Sequence, residues 1–239
     1  MKRRAFLLAL AAVLPLTVSA QIVQDFAPER GKDPNGLVRH HADDEKLKGQ
    51  PVEPGRVVFF GDSITAIWKL PTYFAGKPYI NRGISSQVTS QMLGRLYPDV
   101  IDMKPAAMIL LAGTNDIAQN NGPETLDMIE ENFMAITELA QAHGIKVILC
   151  SVTPIADYGP TKRSDVRPPT DILKVNDWMK DYAARVGVIY ADYFSVLVDD
   201  TGRMKPGISA DGLHPNDQGF ALMAPVAQAA IDKALQLKK

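Results

Sequence analysis

From residue 56 onward the chain alternates between short apolar runs and longer stretches whose apolar residues recur every three or four positions. The runs at 57–60, 79–81, 107–111, 147–151 and 188–191 are apolar on both faces, which predicts five buried parallel strands. Between them, Leu126, Ile129, Phe133, Ile136 and Ala140 mark one helical stripe, with Gly144 placed to end it. A second stripe, Ile172, Val175, Trp178, Tyr182 and Val186, follows Thr170 as N-cap and stops at Gly187. Phe220, Met223, Ala227 and Ile231 predict a last helix, which Pro225 is expected to kink or delay. Strand and helix in regular alternation imply one α/β domain over 56–239, with a parallel sheet and right-handed crossovers. Residues 21–55 carry no sustained apolar period and are punctuated by proline and glycine, so a surface extension is expected there, with a short helix over 37–47.

The first twenty residues have a different texture. Lys2, Arg3 and Arg4 precede an apolar run too short to span a bilayer, and Val18 and Ala20 suit cleavage before Gln21. A signal peptide over 1–20 and a secreted or periplasmic product are expected, without stable membrane insertion. Composition narrows the partners. In 239 residues, 26 basic side chains stand against 27 acidic ones, so no bulk field favours nucleic acid. One cysteine, Cys150, excludes an internal disulfide or a thiolate zinc site, and its place in a strand predicts buried filler. Oligomeric state is not readable from the sequence.

Candidate chemistry lies where the strands end, because ligands of a parallel sheet sit beyond its carboxyl edge. The first strand runs into Gly61-Asp62-Ser63-Ile64, the second into Asn81-Arg82-Gly83, and the third into Gly113-Thr114-Asn115-Asp116. Near the C-terminus stands Asp211-Gly212-Leu213-His214-Pro215, whose spacing lets the carboxylate turn back onto the imidazole. Taken singly, each has a plainer reading: a serine cap, a turn glycine, an asparagine capping a turn. Together they supply a nucleophile (Ser63), a base (His214), its orienter (Asp211) and donors for an oxyanion, which is the outfit of acyl transfer. No G-x-S-x-G, G-x-G-x-x-G or G-K-[ST] loop occurs, so the α/β-hydrolase elbow and nucleotide chemistry lack their parts. His40-His41 with Asp43, Asp44 and Glu45 offers metal-type ligands, but adjacent histidines diverge on a helix, and a solvated charged surface is expected. His143, just before Gly144, is expected to compensate a helix dipole.

These four blocks, in this order, resemble the GDSL or SGNH hydrolases, and the likeness runs from Arg56 to the C-terminus. Its compact bacterial branch, similar to platelet-activating-factor acetylhydrolase catalytic subunits, is the nearest in form. The resemblance implies a flavodoxin-like three-layer α/β/α fold and a cofactor-free, metal-free serine esterase with Ser63 as nucleophile and His214 as base, oriented by Asp211. It also implies an oxyanion hole made by the Ser63 and Gly83 N–H groups and the Asn115 side chain. The chain departs from the pattern just after the second block, where many relatives have a glycine and this sequence has Ser85-Ser86. The loop 153–169 is charged and proline-rich with few large apolar groups, so it encodes no greasy lid. The reading is an exported esterase for short acyl, above all acetyl, esters of a hydrophilic alcohol such as a sugar. Rivals are a lysophospholipase or thioesterase of the same family, a carbohydrate-binding protein that has lost catalysis, and a metal-dependent phosphodiesterase.

Overall fold

A computed structural model describes residues 33–236, with residue 160 left out. The expected signal peptide over 1–20 lies outside the described residues. Five parallel strands, β1 (Val57–Gly61), β2 (Tyr79–Gly83), β3 (Ala107–Leu111), β4 (Lys146–Cys150) and β5 (Ile189–Ala191), form one sheet in the order β2-β1-β3-β4-β5. Each expected run is a strand, with ends shifted by one or two residues where the ladder, not hydrophobicity, decides the last pair. Gly61 pairs with Gly83, for example, which extends β2 through Arg82.

Alternate side chains of the strands feed two cores. Val58, Phe60, Met108, Leu110, Val147 and Leu149 pack against α4 (Thr89–Gly94), α6 (Leu126–Ala142) and α7 (Pro169–Val186). Val57, Phe59, Ile109, Leu111, Ile148 and Cys150 face α2 (Ser63–Ile67), α3 (Leu70–Tyr73), α8 (Tyr193–Leu197) and α9 (Asp217–Gln236), through a cluster that includes Trp68, Phe74, Tyr193 and Phe220. This is the flavodoxin-like three-layer sandwich. The chain leaves β1 to one side for β2 and returns to the other for β3, so the order reverses at β1, and a crevice opens beyond the carboxyl ends of β1 and β3.

Helix ends follow local chemistry, with two differences from expectation. Thr125 caps α6 by accepting the Met128 N–H at 3.2 Å, but α7 begins at Pro169 with no side-chain cap. Thr170 is inside its first turn, because a proline at that position already has the helical φ and no N–H to satisfy. Gly187, at φ 74°, ends α7 in the left-handed region. Pro225 does not delay α9, which starts eight residues earlier and continues past it. Cys150 is fully buried, and burial pushes its thiol up to about 12, so it is inert packing.

From residue 33 on, the segment before β1 is packed onto the domain. Its helix α1 (His41–Lys48) carries Asp44, 1% exposed, onto Arg82, 3% exposed, with Arg82 Nε donating to Asp44 Oδ1 at 2.8 Å and Asp43 adding a second contact at 2.7 Å. His40 reaches the Gly83 carbonyl at 3.3 Å. The expected charged surface over 40–45 is thus partly an interface, because the buried guanidinium of Arg82 requires a counter-charge and this helix supplies it. His143 is solvent-facing at the end of α6 and meets the Tyr97 hydroxyl at 3.0 Å.

Candidate active site

The turn after β1 delivers Ser63. Asp62, buried behind it, caps α2 by accepting the Ile64 N–H at 2.8 Å, so the serine is free of the capping task and its hydroxyl faces the crevice. Burial pushes the Asp62 carboxyl up to about 7, a rise the Ile64 N–H opposes and the neighbouring Asp116 reinforces. Ser63 Oγ lies 2.9 Å from His214 Nε2, and His214 Nδ1 lies 2.8 Å from Asp211 Oδ2. Asp211 is tied down further: its Oδ1 accepts the N–H groups of Leu213 at 3.0 Å and His214 at 2.9 Å. Partial burial works against its charge, but those hydrogen bonds prevail and hold the carboxyl well below the usual carboxylate range. The three residues singled out in the sequence thus form one relay, hydroxyl to imidazole to carboxylate.

Gly83 does not join it as expected. Its N–H donates to Asn81 Oδ1 at 2.9 Å, and a Cβ there would lie 2.2 Å from the Ala66 nitrogen. What comes close to the bare Cα is the backbone of α2, not a substrate oxygen. Three residues on, Ser86, with Ser85, lines the same cleft as Ser63. Ser86 has φ 67°, a left-handed value that a side chain adopts at a cost of about 1–3 kcal/mol and that clusters at functional sites. Among the described residues its N–H meets no protein acceptor. The sequence signal was the departure from the family pattern, since the glycine of many relatives suits the same φ.

Asn115, 3% exposed, opens α5 (Thr114–Ile117) at the end of β3 and also lines the cleft. Its Nδ2 donates to the Gln87 carbonyl at 3.0 Å, while its Oδ1 accepts from Asn120 at 2.8 Å and from Arg167 at 3.3 Å. The cleft measures about 570 Å³. Its walls are Ser85, Ser86, Asn120, Arg163 and Arg167 with three apolar side chains, Ile67, Val166 and Leu213. The loop after β4 supplies Arg163, whose Nη2 sits 2.9 Å from Asp211 Oδ2, and that ion pair was not foreseen from the sequence. A larger cleft of about 1120 Å³ lies near the opposite, amino ends of the strands, beside Arg56, Lys104 and His143, away from the triad. Among the described residues no group of three or more His, Cys, Asp or Glu is placed to hold a metal ion.

This sheet order, with a hydroxyl–imidazole–carboxylate relay at its carboxyl edge, defines a hydrolytic α/β enzyme. The chain belongs to the GDSL-like lipase/acylhydrolase family, whose pattern matches residues 59–222, and is a carboxylic ester hydrolase. A Bacteroides fragilis protein of solved structure, described as an acylhydrolase, is 36% identical with a TM-score of 0.79, covering 84% of this chain and 98% of its own. An uncharacterized lipoprotein of Bacillus subtilis is 30% identical over 178 residues, 61% of this chain and 73% of that protein. An acetylxylan esterase of Xylanibacter ruminicola is 26% identical over 153 residues, 56% of this chain but only 30% of the relative. Among the described residues no helix is long and apolar enough to cross a membrane.

Proposed function

We propose that the protein is an exported esterase that removes short acyl groups, acetyl foremost, from a hydrophilic alcohol such as a sugar. The carrying observation is the relay of 2.9 and 2.8 Å opening into a cleft walled mostly by polar side chains. His214 Nε2 takes the Ser63 proton as Oγ attacks the ester carbonyl, and the tetrahedral oxyanion collapses as His214 returns the proton to the leaving alkoxide. Water, deprotonated by the same nitrogen, then attacks acyl-Ser63 and releases the carboxylic acid. Asp211 keeps Nδ1 protonated throughout, so that Nε2 is the free base. The oxyanion is met by three donors: the Ser63 N–H, the unspent Ser86 N–H in place of that of Gly83, and the second N–H of Asn115 Nδ2. Asn115→Ala is expected to cost about 10²- to 10³-fold in kcat with little change in KM, the usual loss for one such donor. A change confined to KM would make Asn115 a substrate-binding residue instead.

The acyl preference follows from the walls. Each methylene of a longer chain gains about 0.8 kcal/mol only where apolar surface receives it. Of the three apolar side chains in the cleft, Ile67 and Val166 are themselves 45% and 46% exposed. Along p-nitrophenyl esters from acetate to decanoate, kcat/KM is expected to be greatest at acetate and to fall with length. A maximum at octanoate or beyond favours the lysophospholipase reading. Export is supported by the leader pattern of residues 1–20 and by the lipoprotein among the relatives. The acetylxylan esterase relative is in keeping with a carbohydrate ester, as is the polar cleft.

A further inference from the structure

An asparagine can offer an N–H to an oxyanion only if its amide is held the right way round, and the neutral amide has no strong preference of its own. We infer that Arg167 is a positioning residue for the oxyanion donor: it fixes the Asn115 amide with Nδ2 toward the cleft and polarises it. The inference rests on the esterase reading of the site.

Arg167 is 5% exposed, at the end of the loop after β4. Its guanidinium spans two consecutive residues of the turn after β3, Nε donating to Thr114 Oγ1 at 3.1 Å and Nη2 to Asn115 Oδ1 at 3.3 Å. A flipped Asn115 would set its NH₂ against the donors of Arg167 and Asn120, and its oxygen against the Gln87 carbonyl, so every contact would become a like-with-like clash. Asn120 supports the same orientation, but it is uncharged and belongs to the same turn, its own N–H bonding the Asn115 carbonyl at 3.0 Å. Arg167 alone brings a formal charge from a different segment of the chain.

That charge is poorly compensated. Among the described residues no carboxylate lies within ion-pair distance of Arg167, and burial together with the nearby Arg163 lowers its pKa from the ordinary arginine value, with Asp62 and Asp211 acting the other way at longer range. A nearly buried cation with only neutral acceptors is costly in the resting state. Here it pulls electron density from the Asn115 amide through Oδ1, which makes Nδ2–H a stronger donor as negative charge develops on the substrate oxygen. At 3.3 Å the Nη2 contact is long, and such bonds tighten when the reacting charge appears.

The test is a double-mutant cycle on p-nitrophenyl acetate with purified full-length protein, including Ser63→Ala as the blank. Arg167→Gln is expected to lower kcat by about 10- to 100-fold, less than the loss of the donor itself, with KM within about twofold. In an Asn115→Ala background the same substitution is expected to change kcat by less than about threefold, because the group it acts through is gone. Arg167→Lys, which keeps the charge but cannot span Thr114 and Asn115 together, is expected to fall between wild type and Arg167→Gln. Equal losses in both backgrounds, or an effect carried by KM alone, overturn the inference and make the guanidinium a substrate contact. If Arg167→Gln fails to fold, Arg167→Lys decides by the same cycle, and the unfolding of both makes Arg167 structural and ends the proposal. A wild type active on acetate with unaffected Arg167 variants removes this inference alone, whereas a wild type inert towards every ester removes the esterase reading with it.

Discussion

Ser63→Ala and His214→Ala are each expected to lower kcat by about 10⁴-fold or more, and the double mutant is expected to be scarcely slower than either. The reason is the single 2.9 Å contact between Oγ and Nε2. A serine hydroxyl without a base to accept its proton is a poor nucleophile, and a base without the hydroxyl has nothing to deprotonate, so removing one spends the value of the other. Steady-state kinetics on one acetyl ester measures all three variants. Losses that multiply would show two groups working independently and would dismantle the relay. Fluorophosphonate labelling gives a second readout: wild type is expected to take one covalent label that Ser63→Ala does not, and the absence of label on wild type would favour a carbohydrate-binding protein without catalysis.

Asp211→Asn is expected to cost about 10⁴-fold while the secondary structure survives. Both carboxylate oxygens of Asp211 accept from two or more donors. Oδ2 receives His214 Nδ1 at 2.8 Å and Arg163 Nη2 at 2.9 Å, and Oδ1 receives the Leu213 and His214 N–H groups. An amide has one accepting end. With nitrogen in the Oδ2 place it repels Arg163 and drives His214 to the tautomer protonated on Nε2, which cannot take the serine proton. With nitrogen in the Oδ1 place it repels the two backbone donors that shape the turn. Circular dichroism and a thermal melt, run beside the kinetics, separate these outcomes, and a melt far below wild type with unchanged residual activity per folded molecule would assign Asp211 to stability.

The sequence was most readable where side chain and backbone neighbour one another. Five apolar runs became five strands because burial on both faces of a parallel sheet requires unbroken apolar stretches, and Asp211 finds His214 because three residues suffice for the turn. It was least readable where a partner is remote. Nothing local to Arg82 announces Asp44, 38 positions away, and nothing local to Arg163 announces Asp211, 48 positions away. Gly83 shows the same limit. A missing side chain is compatible with a turn or with a close approach, and the sequence cannot say which atom approaches; here it is the backbone of Ala66 in α2. Ser86 stands out in the sequence only as a departure from the family's glycine, because the left-handed backbone at φ 67° is a property of the loop's closure and serine itself carries no mark of it.

The described segment ahead of β1 carries the protein's mechanical unit beyond the region that the family pattern matches. The matched region starts at residue 59, yet the Gln87 side chain donates to the Asn35 carbonyl at 2.8 Å while the Gln87 main-chain oxygen receives Asn115 Nδ2 at 3.0 Å. Gln91 likewise holds the Pro34 carbonyl at 2.6 Å, and the Asn35 side chain fills the space above Gly94 where a Cβ would stand 2.4 Å away. One glutamine thus ties Asn35 to the amide of Asn115, which lines the same cleft as the nucleophile. A chain trimmed to the region the family pattern matches would keep every triad residue and lose the brace behind the loop that carries Ser86.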